Sequence, residues 1–123
     1  MSIEIDSICF GVKDSVVVDS NSTTLLLDNQ ILIHNVNLAQ STTLVFNTTS
    51  TVSNFSCIYF LRVYVPSGGK TLTFPSGIKW FVAPPSISGN TVSLNNAHKY
   101  YYFRIEDCNF FGKFGYYIGC ADK

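Results

Sequence analysis

Residues 72–105, LTFPSGIKWFVAPPSISGNTVSLNNAHKYYYFRI, decide the fold of this chain. Short apolar runs in this stretch are separated by Pro-Ser-Gly at 75–77, Ala-Pro-Pro at 83–85 and Ser-Gly-Asn at 88–90. Runs of this length bounded by Gly and Pro are typical of antiparallel strands joined by tight turns. No long window of the chain keeps its apolar residues at helical spacing. The sequence therefore predicts an all-β fold, either an antiparallel β-sandwich or a jelly roll.

Further strands are predicted on both sides of this stretch, and the length of 123 residues suits a single domain over 1–123. The predicted strands are mainly aliphatic within 1–56 and aromatic within 57–123. A polar segment between them, NTTSTVSN at 47–54, is predicted to be a long exposed loop. Two arrangements are open: 1–56 completes the same sandwich, or it forms a separate docking element.

Two predicted strands have informative faces. Both faces of Cys57–Val65 are largely apolar, which predicts a central strand with something packed on each side. The strand Lys99–Glu106 has one apolar face, predicted to lie in the core, formed by Tyr101, Phe103 and Ile105. Its other face carries Tyr100, Tyr102, Arg104 and Glu106. We expect a neighbouring subunit to cover that tyrosine face, because exposed apolar patches commonly mark contact sites.

Turns and one aromatic side chain complete the fold prediction. Pro66-Ser67-Gly68-Gly69 and Pro75-Ser76-Gly77 each predict a tight turn, the first of them a hairpin, because proline presets the first corner and glycine supplies a positive φ. Trp80 is the single tryptophan, and it shares a predicted strand with Ile78 and Val82. We therefore expect Trp80 to be a structural anchor of the core.

The composition limits the classes of partner. Eight basic residues balance eight acidic ones, and charged residues are only 13% of the chain, about half the usual share. Such a surface attracts no polyanion, so the sequence predicts no nucleic acid binding. The N-terminus lacks the features of a signal peptide, and no apolar run approaches the ~20 residues of a membrane-spanning helix. We expect synthesis in a cytoplasm, without membrane insertion.

No catalytic, metal-binding or cofactor-binding motif is visible. His34 and His98 lie outside any recognisable motif, and we expect His98 to make a surface or interface hydrogen bond. Glu106 and Asp107 are adjacent on a strand, so they point to opposite faces and cannot readily act as a catalytic pair. The expected role of Glu106 is an exposed ion pair with Arg104.

The four cysteines are predicted to be buried, reduced thiols. They are widely separated and contain no Cys-x-x-Cys pair, and the expected cytoplasmic setting disfavours disulfides. A zinc site using them with a histidine has poor support from the spacing. The sequence thus predicts a protein that is not an enzyme and has no cofactor.

Aromatic residues cluster in the last third of the chain, and this cluster has two interpretations. The first is core and subunit contact, which we expect because an exposed loop as apolar as Phe110–Gly115 is costly to leave in water. The second is a sugar-stacking platform at a receptor-binding tip, with Tyr116 and Tyr117 included. The candidate interface or ligand residues are Arg62, Tyr100, Tyr102, Arg104, Phe110, Phe111 and Phe114.

Three segments resemble a pattern in β-domains of tailed-bacteriophage virion proteins, which occur in tail fibres, head fibres and capsid-decorating proteins. They are Leu72–Trp80 (LTFPSGIKW), Pro84–Gly89 (PPSISG) and the strand Tyr100–Glu106. The resemblance covers roughly 57–119, about half of the chain, and its motifs are moderately specific. The chain departs from the pattern at 81–83, Phe-Val-Ala, where a glycine pair often follows the tryptophan.

The resemblance implies a non-enzymatic virion structural protein that is made and assembled in the cytoplasm of the bacterial host. The expected role is a capsid auxiliary or decoration protein that bridges neighbouring subunits, since the chain shows no shaft-like coiled coil. The alternative is a head-fibre or tail-fibre tip that binds a host receptor or a cell-surface glycan. Expected partners are capsid or fibre subunits, with a homo-oligomer and a glycan as further possibilities.

Overall fold

A computed structural model describes residues 13–14, 23–28, 31–46, 56–108 and 110–123. The predicted strands at 2–10 and 16–19 and the predicted loop at 47–54 lie outside these ranges, as does Cys9. The described residues form strands, turns and bends and no helix. The all-β prediction is therefore confirmed for this part of the chain.

Eleven strands are present in the described ranges. In chain order they are β1 (Lys13–Asp14), β2 (Thr24–Leu27), β3 (Ile31–Asn37), β4 (Thr42–Phe46), β5 (Ser56–Val65), β6 (Lys70–Thr73), β7 (Ile78–Val82), β8 (Ile87–Ser88), β9 (Thr91–Leu94), β10 (Lys99–Cys108) and β11 (Gly112–Asp122). Sheet A has the order β1-β3-β5-β10-β11-β7, and sheet B has the order β2-β4-β6-β9-β8. The two sheets pack against each other.

Both sheets are mixed, so the predicted purely antiparallel arrangement is wrong and a jelly roll is not confirmed. From β1 to β8 the chain alternates between the two sheets. Strands that follow one another within a sheet therefore run in the same direction, and the pairs β1–β3, β3–β5, β2–β4 and β4–β6 are parallel. Antiparallel neighbours meet where β10 pairs with β5 and β11, and where β9 pairs with β6 and β8.

The proline turns explain this difference from the sequence prediction. The turn 66–69 leads from β5 in sheet A to β6 in sheet B, so it is not a hairpin. The turn 74–77 then leads from β6 back to β7 in sheet A. A Pro-Ser-Gly sequence specifies a sharp corner but not whether the next strand pairs with the previous one or crosses to another sheet.

One core lies between the sheets and is built from both halves of the chain. Leu27, Val36 and Leu44 come from the first half, and they join Tyr59 and Phe103 from the second in a single cluster of buried side chains. The described strands before residue 56 therefore complete the same core. The predicted core face of β10 is confirmed, since Tyr101, Phe103 and Ile105 are buried.

The predictions for β5 and Trp80 need correction. β5 is an interior strand of sheet A and buries one face, but no described residue covers its other face, because sheet B packs on one side only. Trp80 is only half-buried, because β7 is the edge strand of sheet A. Its ring still packs against the core in an edge-to-face contact with Phe74, 5.0 Å between centroids.

Candidate functional site

The candidate site is the outer face of sheet A, the face turned away from sheet B. Strands alternate their side chains between two faces, so every second residue of β5, β10 and β11 points outward here. Of the residues predicted from the sequence, this face brings together Arg62, Tyr100, Tyr102, Arg104 and Phe114. The remaining two, Phe110 and Phe111, lie in the turn between β10 and β11 at one end of the face.

An apolar hollow of about 460 Å³, here called the phenylalanine hollow, occupies this end of the face. The ring of Phe81 on edge strand β7 stacks on Tyr116, with centroids 5.3 Å apart and planes 14° from parallel. Phe81 also contacts Phe114 at 5.3 Å. Together with Ile58 and Phe111 these rings line the hollow, which is therefore an aromatic depression open to solvent.

The turn beside the hollow exposes two rings. Phe110 is 74% exposed and Phe111 is 75% exposed, which confirms the predicted exposed apolar loop at these two residues. The rest of that predicted loop, Gly112–Gly115, belongs instead to strand β11. The two rings contact each other edge to face at 4.9 Å, and Phe111 also lines the hollow. A projecting apolar knob and an apolar depression are thus adjacent on one surface.

A polar pair borders the hollow. The predicted ion pair is present: an Nη2 N–H of Arg104 donates to Oε2 of Glu106. The Arg104 guanidinium also lies over the ring of Tyr116, 5.2 Å from its centroid. Because Glu106 lines the hollow, its wall contains a carboxylate that is already neutralised. The margin of the hollow is polar while its floor is aromatic.

The other half of the outer face is here called the tyrosine patch, formed by Asn35, Asn37, Arg62, Tyr64, Tyr100 and Tyr102. Strand register places these residues in two rows across β3, β5 and β10. The first row is Asn35, Arg62 and Tyr102, and the second is Asn37, Tyr64 and Tyr100. Aromatic rings, amides and a guanidinium are therefore interleaved within two neighbouring rows.

Tyr64 is held at the end of the patch by several contacts. Its ring lies 5.1 Å from that of Tyr100, tilted by 44°. Its hydroxyl is 3.2 Å from Nδ1 of His98, which confirms the expected hydrogen bond of that histidine. The Lys123 ammonium lies 4.8 Å from the Tyr64 centroid, which adds a second cation to this end of the face.

Tyr117 packs against the core, which agrees with the expected core contact and not with the alternative sugar-stacking platform. Its ring packs against the core beside Phe103, 5.6 Å between centroids. Burial and a hydrogen bond with Cys120 raise the pKa of Tyr117 to about 12. Alternation along β11 accounts for this placement, because Phe114 and Tyr116 point outward while Gly115 and Tyr117 point to the core.

The predicted buried thiols are also corrected. Cys57, Cys108 and Cys120 are free, but the first two are half-buried and Cys120 is exposed. Among the described residues, no group of three or more His, Cys, Asp or Glu side chains is placed to hold a metal ion. The same ranges contain no helix long and apolar enough to cross a membrane.

Several residues of this face were not singled out from the sequence. Asn35 and Asn37 reach the tyrosine patch through the parallel pairing of β3 with β5, and Phe81 reaches Tyr116 through the parallel pairing of β7 with β11. Alternation within β3 was the available signal, because Asn35 and Asn37 alternate with the apolar Val36. It shows which side chains share a face, but not which strand lies alongside.

No family model, curated protein or solved structure matches this chain. The resemblance to phage virion domains therefore stays a prediction from the motifs, and the function is argued from the geometry of the outer face.

Proposed function

We propose that this protein is a non-enzymatic structural protein of a bacteriophage particle, a capsid auxiliary or decoration protein. In this proposal the two packed sheets form a β-sandwich that bridges neighbouring virion subunits through the outer face of sheet A. The motif resemblance supports the phage setting. The geometry of the aromatic face, which no described residue covers, supports a binding role.

The observation that carries the proposal is the pairing of knob and hollow at one end of the outer face. Phe110 and Phe111 expose about three-quarters of their surface next to a hollow of about 460 Å³. Burying apolar surface releases roughly 25 cal/mol per Å², so a face of this kind has much to gain from a partner. Contiguous exposed apolar patches commonly mark protein contact sites.

The margin of the hollow fits the same role. Protein interfaces usually combine an apolar, aromatic centre with a polar rim that stays accessible to solvent. Here the rings of Phe81, Phe114 and Tyr116 form the centre, and the Arg104–Glu106 pair forms part of the rim. The proposed mechanism is mechanical: the phenylalanine knob inserts into a neighbouring subunit while an apolar side chain of that subunit enters the hollow.

The test begins with particles purified from the source that encodes the chain. Mass spectrometry should find the protein at many copies per particle, and immunogold labelling should place it on the capsid. Particles without the protein are then incubated with wild type, with Phe110→Ser/Phe111→Ser, or with Leu26→Ser as a control. Leu26 is 51% exposed on sheet B, so this control removes exposed apolar surface elsewhere. We expect only the double variant to lose particle binding.

Two results would contradict the proposal. Purified particles could lack the protein altogether, or the double variant could reach wild-type occupancy.

Light scattering of the purified chain adds a second criterion. A monomer agrees with a decoration protein that meets its partner on the lattice, whereas a trimer that persists on dilution favours a fibre component.

The second candidate function is glycan or receptor binding at a fibre tip. The tyrosine patch favours it, because rings, amides and a cation are interleaved there. Tyr100→Ala/Tyr102→Ala separates the two functions. A loss of glycan binding with normal particle occupancy assigns the patch to the glycan. If this double variant binds a glycan array as well as wild type does, the tyrosine patch has no role in glycan binding.

A further inference from the structure

The tyrosine patch carries recognition groups that the knob and hollow do not use. Its two rows are two residues apart along each strand, and adjacent strands lie about 4.8 Å apart. A flat ligand lying on the patch would therefore contact side chains from β3, β5 and β10 together. This inference names the ligand class for the second candidate function and does not depend on capsid binding.

Arg62 gives the patch a positive charge that no carboxylate of the described residues pairs. None of the ion pairs formed by the described residues includes Arg62. Its Nη1 donates to Oδ1 of Asn35 at 3.2 Å, and its guanidinium lies 5.9 Å from the centroid of Tyr102. The side chain remains exposed. A guanidinium has five N–H donors in a planar fork, which matches a carboxylate in a bidentate geometry.

Rings and amides surround this charge. Tyr64, Tyr100 and Tyr102 are half-buried, so their rings are fixed in the sheet while part of each remains accessible. Tyrosine combines an apolar ring with a polar hydroxyl, which suits a ligand that also has both kinds of surface. Oδ1 of Asn37 is buried and has no hydrogen-bond partner among the described residues, so this acceptor lies beneath the patch and a ligand on the surface would meet the N–H groups of the side-chain amide instead.

Two shallow depressions meet at Arg62. One, of about 150 Å³, lies on the side of Phe60 and Tyr102, and the other, of about 110 Å³, lies on the side of Asn37, Tyr64 and Tyr100. Both are smaller than the roughly 300–1,000 Å³ of enclosed pockets for small molecules. The shape suits a single unit of a longer chain lying on the surface, with weak affinity per unit.

We infer that the tyrosine patch binds a carboxylated sugar unit of an acidic polysaccharide. The carboxylate pairs with Arg62, the apolar side of the sugar ring lies on the tyrosines, and hydroxyl groups hydrogen-bond with Asn35 and Asn37. A single-stranded nucleic acid is the competing anionic, stackable ligand. It needs a row of cations that follows its phosphates. Among the described residues, Arg62 and Lys123 lie at this end of the face, whereas Arg104 is paired with Glu106 and Lys79 lies on the far edge strand β7.

The test is an NMR titration of the isotope-labelled full chain with two matched ligands. The first is a short oligosaccharide of glucuronic acid, and the second is the same oligosaccharide with its carboxyl groups reduced to alcohols. We expect the acidic form to bind with a Kd on the order of 1 mM. Shift changes should be concentrated in β3, β5 and β10, and the reduced form should bind at least about tenfold more weakly.

Two charge-removing variants make the test specific. Arg62→Gln should lose about tenfold or more in affinity for the acidic form, because a charged hydrogen-bond partner is gone. Lys79→Gln removes one positive charge from the exposed edge strand β7 and should bind as wild type. Unchanged backbone spectra away from the substituted residue establish that both variants are folded.

Each contrary outcome is distinct. Equal binding of the two oligosaccharides, or an equal loss in both variants, would overturn the carboxylate pairing. Tighter Arg62-dependent binding of an oligothymidylate would overturn the sugar assignment. The double variant Phe110→Ser/Phe111→Ser should bind the acidic sugar normally, so failure of the sugar site and failure of particle binding can be told apart.

Discussion

The ring of Trp80 occupies the space that a side chain at Gly115 would need. A Cβ built on Gly115 would lie 2.6 Å from Cε3 of Trp80 and 2.8 Å from Cγ2 of Ile78. Both distances are shorter than real Cβ contacts allow. β7 pairs with β11 at this point, with Gly115 opposite Trp80. The missing side chain of Gly115 thus leaves room for the Trp80 ring of the edge strand to pack over β11.

Gly115→Ala should destabilise the fold by about 1–3 kcal/mol, because the Trp80 ring is held by Phe74 and can move only with strain. Urea unfolding measures the change. Combining the variant with Trp80→Leu should give less than the sum of the two single effects, since the clash with the ring disappears and only the contact with Ile78 remains. Additive effects would show that the two residues do not interact.

Trp80→Ala should lower the free energy of unfolding by less than Phe103→Ala does. Phe103 is fully buried, and removing such a ring costs roughly 3–5 kcal/mol. Trp80 is half-buried on an edge strand, so we expect about 3 kcal/mol or less for its loss. Urea unfolding of both variants shows which of them loses more stability. A larger loss for Trp80 would restore the anchor role predicted from the sequence.

His34 should make stability depend on pH. The side chain is 2% exposed, and its Nε2 accepts a hydrogen bond from the backbone N–H of Asp28 at 3.1 Å. Burial lowers its pKa below 6.5, while the charge of Asp28 acts in the opposite direction. Below that pH the unfolded chain binds the proton more readily than the folded one. The free energy of unfolding should therefore fall as the pH drops below 6.5 towards the folded pKa.

His34→Gln is the matched control for this pH effect. Its side-chain oxygen can accept from the same N–H of Asp28, but it does not titrate. Urea unfolding of both proteins from about pH 7 to about pH 5 should show a steeper loss in wild type. Parallel curves would mean that His34 does not contribute to the pH dependence of the free energy of unfolding.

Phe110→Ser/Phe111→Ser should leave the free energy of unfolding within about 0.5 kcal/mol of wild type, because both rings are largely exposed. Solubility should rise, since an exposed apolar knob is removed. Thermal unfolding and the concentration at which precipitation begins are the measurements. A large destabilisation would show that the rings support the fold as well as the surface.

Cys108 should be alkylated faster than Cys57. Ser56 Oγ donates to Cys108 Sγ at 3.2 Å, and with backbone hydrogen bonds from Phe111 and Phe110 this lowers the pKa of the Cys108 thiol. Burial raises the pKa of Cys57. The thiolate is the reactive form, so iodoacetamide near neutral pH should label Cys108 before Cys57. Peptide mass spectrometry measures the alkylation of each cysteine separately. Ser56→Ala should slow the alkylation of Cys108 and leave the alkylation rate of Cys57 unchanged.

Much of the candidate site could be predicted from alternation within single strands. The Tyr101 and Tyr102 faces of β10 were separated correctly because the side-chain period of a strand is two. The exposed loop at Phe110 and Phe111 also followed from local composition. The alternative platform grouped Tyr116 with Tyr117, although neighbouring residues of a strand point to opposite faces, and Tyr117 packs in the core. The bulge opposite Tyr102 and Phe103 leaves Ile118 unpaired and exposed, and a single strand does not record such a pairing irregularity.

Local patterns were enough to predict most of the described strands, the turns at 66–69 and 74–77, and which side chains share a face. These properties follow from turn chemistry and from the period of the apolar residues. The position of β3, which runs parallel beside β5 and brings Asn35 and Asn37 to the tyrosines, follows from the tertiary fold alone. The tertiary fold also decided that β7 lies beside β11, where Phe81 closes the hollow. Strand neighbours depend on contacts far apart in sequence, and the same proline corner serves a hairpin and a crossing between sheets equally well.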